Sequence, residues 1–116
     1  MNLYCVQIDI IDTAKALSFA HSVSQWMEFL KDRQTIAAWR MCRRKLNLAS
    51  DCYRDFLIEI EVEDLTQLDR AFRLVGSDDD EAERLHNNVH QMIRAADYAL
   101  YRPFPDSERA ERMAIF

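Results

Sequence analysis

An α+β fold, with a four-stranded antiparallel sheet covered on one face by helices, is predicted by three observations. Residues 54–63 alternate apolar and polar side chains with a period of two, as a strand with one dry face requires. Three other segments repeat apolar residues at helical spacing. One glycine and two prolines in 116 residues leave few tight turns, so most of the chain belongs to regular elements.

The first element is a strand over 2–11. Tyr4, Val6, Ile8 and Ile10 share one face, and Leu3, Cys5, Gln7 and Asp9 share the other. Asp12 or Thr13 then caps a helix running to about Arg33, because their side-chain oxygens accept from unpaired amide groups. Its inner stripe is Ala16, Phe19, Ala20, Val23, Trp26, Met27 and Leu30. Residues 36–48 return to strand, and Ala49 to Cys52 form a hairpin loop. The strand over 54–63 turns Phe56, Ile58, Ile60 and Val62 one way, and Leu57, Glu59, Glu61 and Glu63 the other. A helix over 64–75 presents Leu65, Leu68, Ala71, Phe72 and Val75, and ends at Gly76, suited to a left-handed C-terminal position. The Ser77–Asp80 run caps a third helix with Ala82, Leu85, Val89, Met92 and Ile93 inward, its acidic start favoured by the helix dipole. A last strand over 97–102 stops at Pro103, which cannot donate to a ladder. Strand, helix, strand, strand, broken helix, strand is the ferredoxin-like β-α-β-β-α-β order. Residues 1–105 form one such domain, and 106–116 a short tail packed on the domain or its partner.

Charge and composition narrow the partners. A net charge of −5 lacks the field needed to neutralise phosphates, so no nucleic acid is expected. Cys5, Cys42 and Cys52 form no C-x-x-C pair and leave one over, which reads as reduced thiols of a cytoplasmic protein. No basic segment followed by an apolar run opens the chain, so no signal peptide is expected. The apolar runs fall short of the ~20 residues that a membrane span needs.

Five residues are candidates for a site. Arg40, Arg43, Arg44 and Lys45 put four cations on one strand. Pairing Leu48 with Tyr53 sets Arg40 opposite Glu61 and Arg44 opposite Leu57, which reads as a cross-strand charge ladder. Arg43 and Lys45 then project beside Ile58 and Phe56, towards the helices, where a cation either snorkels to the rim or neutralises an anionic ligand. Trp39 offers an aromatic surface on the same strand. His86 and His90 stand four apart on one side of the third helix. They are open to three readings: a partly exposed pair, a proton-transfer role for His86, or metal binding. The zinc-protease pattern is absent, since Asn87 and Asn88 follow His86, and no metal is expected. His21 lies opposite the inner stripe of its helix and reads as a surface residue. No nucleophile elbow, phosphate loop or dinucleotide fingerprint is present.

Several stretches carry a family likeness: Trp39-Arg40 through Arg43-Arg44-Lys45-Leu46, Asp55-Phe56 into Ile60 to Leu65, and Leu68-Asp69 with Ala71-Phe72. Leu85 to His90, Ala99 to Arg102 and Phe104-Pro105-Asp106 extend it. Together they resemble an uncharacterised bacterial family of small dimeric ferredoxin-like proteins. At a broader level the topology is similar to the dimeric α/β-barrel superfamily, which includes cofactor-independent antibiotic-biosynthesis-type monooxygenases, haem-degrading monooxygenases, lactone isomerases and non-enzymatic ligand sensors. Such breadth fixes no activity. Haem-degrading members use an Asn on the first strand, a Trp and a helical His. Here Gln7 or Asp9 stands on that strand and Trp39 on the second, so no cofactor is expected.

Two functions follow as expectations. The first is a dimer that binds a small anionic organic ligand between sheet and helices, through Arg43, Lys45, Trp39 and His90. The second is a cofactor-independent monooxygenase or isomerase, with His86 as base and Arg43 steadying an oxyanion. The homodimer is expected through the sheet face, where Leu3, Cys5, Ala38, Cys42 and Leu57 mix with Gln7, Asp9, Arg40, Arg44, Glu59 and Glu61. Buried there, Gln7 and Asp9 need hydrogen-bond partners, for which Arg40 or Arg44 of a facing sheet is a candidate.

Overall fold

The computed structural model describes residues 1–105, and the expectations for 106–116 lie outside the described residues. The elements are β1 (Asn2–Ile10), α1 (Ala16–Asp32), β2 (Ala38–Arg43), β3 (Phe56–Val62), α2 (Leu65–Val75), α3 (Asp80–His90) and β4 (Ile93–Tyr101). The sheet order is β2-β3-β1-β4, with every neighbouring pair antiparallel. This is the ferredoxin-like arrangement that the order of elements predicts.

The alternation of β1 and β3 places the core. Val6, Ile8 and Ile10 of β1 and Phe56, Ile58, Ile60 and Val62 of β3 are buried against the helices. Phe19, Val23, Trp26, Met27 and Leu30 of α1 meet them, with Leu68 and Ala71 of α2 and Ala82, Leu85 and Val89 of α3. Each such burial stabilises by about 1.5–3 kcal/mol relative to exposure, which outweighs any single surface contact. Polar groups fix the helix ends. Asp12 accepts from the Ala14 amide at 3.0 Å, Asp64 from Gln67 at 2.8 Å and Asp79 from Ala82 at 3.0 Å. Asp79 also pairs with Arg33 at 2.9 Å, tying the end of α1 to the start of α3. Gln34 has a φ of 60°, a region that disfavours side chains. Its carbonyl accepts from the buried Gln67 side chain at 3.1 Å, which holds that turn.

Several boundaries differ from the sequence reading. β2 stops at Arg43, not near Leu48, because Leu46 and Asn47 adopt φ values of 56° and 55° that a strand cannot hold. The connection therefore spans 44–55, and Lys45 lies in it and not on the strand. The hairpin register shifts by two: Arg40 faces Glu59, Cys42 faces Leu57 and Arg43 faces Phe56. A shift of two leaves every side chain on its expected face. α3 ends at His90, so Ile93 opens β4 instead of extending the helix stripe. Pairing with the full length of β1, from Ile10 opposite Ile93 to Leu3 opposite Tyr101, sets that longer strand. Gly76 has a φ of −86° and is not left-handed. In α2, Leu65, Phe72 and Val75 are exposed, and the buried positions are Gln67, Leu68 and Ala71.

Phe19 is fully buried, with its ring 5.3 Å from that of Phe56. Phe19→Ala should lower the unfolding free energy by about 3–5 kcal/mol. Urea denaturation should read this as a lower midpoint at unchanged slope.

Candidate functional site

A cavity of about 290 Å³ lies between the sheet and the helices. Alternation brings Tyr4, Val6 and Ile8 of β1 and Ile58 and Ile60 of β3 to its floor. Trp26, Met27 and Leu30 of α1, Phe72 and Val75 of α2, and His86, Val89 and His90 of α3 form its walls, with Tyr98 of β4 at the side. Among the described residues its lining is mostly apolar, and its polar side-chain groups are two imidazoles, two phenols and the Trp26 indole.

His86 is half-buried. Its ring meets Trp26 edge-on at 5.7 Å and stacks on His90 at 5.5 Å with 17° between the planes. Burial lowers its pKa first and the neighbouring His90 lowers it further, against an opposing hydrogen bond with Asn87. The imidazole is therefore neutral at neutral pH and free to accept a proton. Across the cavity, Tyr4 stacks with Tyr98 at 6.0 Å and meets Phe72 edge-on at 5.6 Å. Burial and then Tyr98 push the Tyr4 phenol up, so it stays protonated as a hydrogen-bond donor. The cavity thus offers an acceptor on one side and a donor on the other.

The five sequence candidates do not converge. His86 and His90 share the cavity, whereas Arg43, Trp39 and Lys45 lie elsewhere. Arg43 is exposed at the end of β2, its guanidinium 5.4 Å over the Phe56 ring, in a groove between β2 and α1. Trp39 lines the same groove, and its indole N–H donates to Glu28 of α1 at 2.6 Å. Arg40 donates to Glu59 at 2.6 Å and Arg44 to Asp55 at 2.7 Å, as a charge ladder does. His21 is exposed.

On the opposite sheet face, Gln7 and Asp9 find partners in their own chain and not in Arg40 or Arg44. Gln7 Oε1 accepts from the Arg54 amide at 2.9 Å. Asp9 accepts from the Asp55 amide at 3.0 Å, from the Arg54 guanidinium at 2.9 Å and from Arg94 at 3.2 Å. Arg54 also donates to Asp97 at 2.8 Å. Burial alone would raise the Asp9 carboxyl, but these donors outweigh it and hold its pKa below the usual carboxylate range. Sequence reasoning missed this cluster. Its signal was the need of Gln7 and Asp9 for partners, which spacing alone could not assign. Tyr4 and Phe72, which periodicity places on the inner faces of the first strand and second helix, also line the cavity, together with Tyr98.

Fold and cavity together define a ferredoxin-like α+β protein with a small cleft between sheet and helices. The chain belongs to a family of unknown function, DUF6614, whose model matches residues 1–116. Comparison with curated proteins gives no match. Among solved structures, a protein from Arabidopsis thaliana superposes with a TM-score of 0.71 at 7% identity, over 92% of this chain and 99% of that one. A dimeric ferredoxin-like protein of unknown function from Thermobifida fusca gives 0.62 at 12% identity, over 88% and 90%. SnoaB, a cofactor-independent oxygenase from Streptomyces nogalater, gives 0.64 at 8% identity, over 90% and 97%. At such identities the likeness is one of fold. Among the described residues no helix is long and apolar enough to cross a membrane, and no group of three or more His, Cys, Asp or Glu is placed to hold a metal ion.

A lowered His86 pKa links stability to pH. Between the folded value and the ordinary 6.5, the unfolded chain binds more protons than the folded one. This contribution is complete above 6.5 and is lost as pH falls through the folded value. NMR titration should therefore give His86 a midpoint below 6.5, and His86→Phe should flatten the stability profile in that window.

Proposed function

We propose that the protein is a homodimer that binds a small, mostly apolar organic ligand carrying one weakly acidic group, in the cavity between sheet and helices. The observation that carries this reading is the pair of imidazoles, His86 and His90, in a wall otherwise built from aromatic and aliphatic side chains. A dry pocket with a few convergent polar groups is the usual form of a small-molecule site. Arg43 does not line this cavity, so the ligand's acidic group meets His86 and the Tyr4 phenol instead. A permanently charged carboxylate would lose its hydration there without a fixed cation, whereas a weak O–H acid enters neutral. The cavity volume, about 290 Å³, suits a ligand of one to three fused rings.

The dimer reading rests on β4 and the outer sheet face. Tyr101, which pairs with Leu3 on that face, is 61% exposed on an edge strand, and Leu3, Cys5 and Leu57 are only half-covered beside it. Contiguous apolar surface of this kind marks a contact, and the Thermobifida fusca protein with the same fold is described as dimeric. Cys5, Cys42 and Cys52 are unpaired, which supports a cytoplasmic location.

A second reading is favoured by the neutral His86. A base beside an apolar cavity can take a proton from a phenol or an activated C–H, leaving an electron-rich anion able to react with oxygen or to rearrange. The likeness to SnoaB supports this reading at the level of fold.

Isothermal titration with aromatic alcohols should give one binding event per chain, abolished by Val75→Trp, which fills the cavity mouth. Undiminished binding by that variant would remove the cavity as the site. In an oxygen electrode, hydroquinones and anthrones should be consumed only if the second reading holds, and His86→Ala should then stop consumption. Light scattering at low micromolar concentration should give twice the 13.7 kDa chain mass, and Leu57→Glu should halve it. A monomer mass for the unaltered protein would refute the dimer.

A further inference from the structure

His86 and His90 share a cavity wall but not an environment. His86 is half-buried and edge-on to Trp26, while His90, the last residue of α3, is exposed. Their four-residue spacing stacks one ring on the other at 5.5 Å, the exposed His90 beside the half-buried His86. Among the described residues, the other titratable groups lining the cavity are Tyr4 of β1 and Tyr98 of β4. α1 faces it with Trp26, Met27 and Leu30, α2 with Leu68, Ala71, Phe72 and Val75, and β3 with Ile58 and Ile60, none of them charged. Among the described residues no carboxylate lines the cavity to offset a second positive charge, and two charged imidazoles at this distance repel each other.

We propose that His86 and His90 work as a single one-proton unit, in which His86 takes the ligand's proton inside the cavity and His90 holds it at the rim. The source of the proton rests on the ligand reading above; the coupling of the two rings does not. The ligand's O–H bond breaks with its electron pair left on oxygen, and the proton bonds to the lone pair of a neutral His86 nitrogen. It then passes through water to His90, so the pair keeps one positive charge against the ligand's one negative charge. The proton returns by the same route when the ligand leaves neutral. His90 is thus a positioning residue for charge: once it is protonated from solvent, His86 can no longer accept. Ligand capture should therefore fall in acid.

The test is an NMR titration of the imidazoles from about pH 8 to about pH 4, with exposed His21 as internal control. His90→Gln should move the His86 midpoint up by about half a unit or more, with His21 unmoved. Superimposable His86 curves with and without His90 would overturn the proposal. A second arm uses 1-naphthol and its methyl ether as probes. Naphthol binding should fall in acid, the ether should bind without that dependence, and His90→Gln should shift the naphthol profile to lower pH. An unchanged naphthol profile in that variant would also overturn the proposal. Coupled titrations without binding of either probe would sink the ligand reading alone and leave the paired imidazoles standing.

Discussion

β1 is hydrogen-bonded on both sides, to β3 and to β4, and its two faces do different work. Val6, Ile8 and Ile10 seat the helices, so the parity of one strand decides where the core begins. Gln7 and Asp9 point the other way and hold the start of β3 through the Asp55 amide and Arg54. The two sets are inseparable, because a slip of one residue would carry the aliphatic side chains to the open face and the carboxylate into the core. β3 copies this parity opposite β1, and the helices follow the dry face that the pair creates. The cavity is what remains where α2 and α3, broken at Gly76, cover that face less completely than the longer α1.

The architecture was legible because it depends on periodicity, a local property. Phe56 to Val62 and Leu3 to Ile10 announce their faces in any single sequence. Element ends were less legible where a backbone torsion or a distant partner sets them. Asn47 is a residue type that tolerates a left-handed torsion, but Leu46 before it carries no such signal, so β2 read as too long. Met92 and Ile93 continue a helical stripe in sequence, but the strand-pairing demand of Ile10 claims Ile93 for β4. The exposure of Phe72 and Val75 likewise comes from how α2 sits on the sheet and not from its own pattern.

The site was legible in part, for the same reason. His86 and His90 are neighbours by helical spacing, so their meeting needs no tertiary knowledge. Tyr4, Tyr98 and Phe72 come from three elements and were placed together only by the fold. Arg43 shows the converse. Its face was read correctly, yet its position at the end of an edge strand sets it over Phe56 and away from the imidazoles. A face is fixed by parity, whereas the distance along a strand from a cavity is fixed by register and strand length.

The carboxylate of Asp9 gathers donors from Arg54, Asp55 and Arg94, at the point where the long 44–55 connection rejoins the sheet. Its lowered pKa means that this anchorage is intact above the ordinary value of 3.8 and is lost as pH falls through the folded value. The aliphatic and aromatic core beneath has no such carboxylate anchor, and the pH dependence on that side is the one His86 brings at the cavity wall. Acid strong enough to titrate Asp9 acts on one connection, whose opening is a local event with its own free energy, while the packing of β1 against the helices does not depend on that carboxylate. In that respect the molecule has two titratable controls in separate places, an imidazole at the cavity and a carboxylate at the loop, joined through the two faces of a single strand.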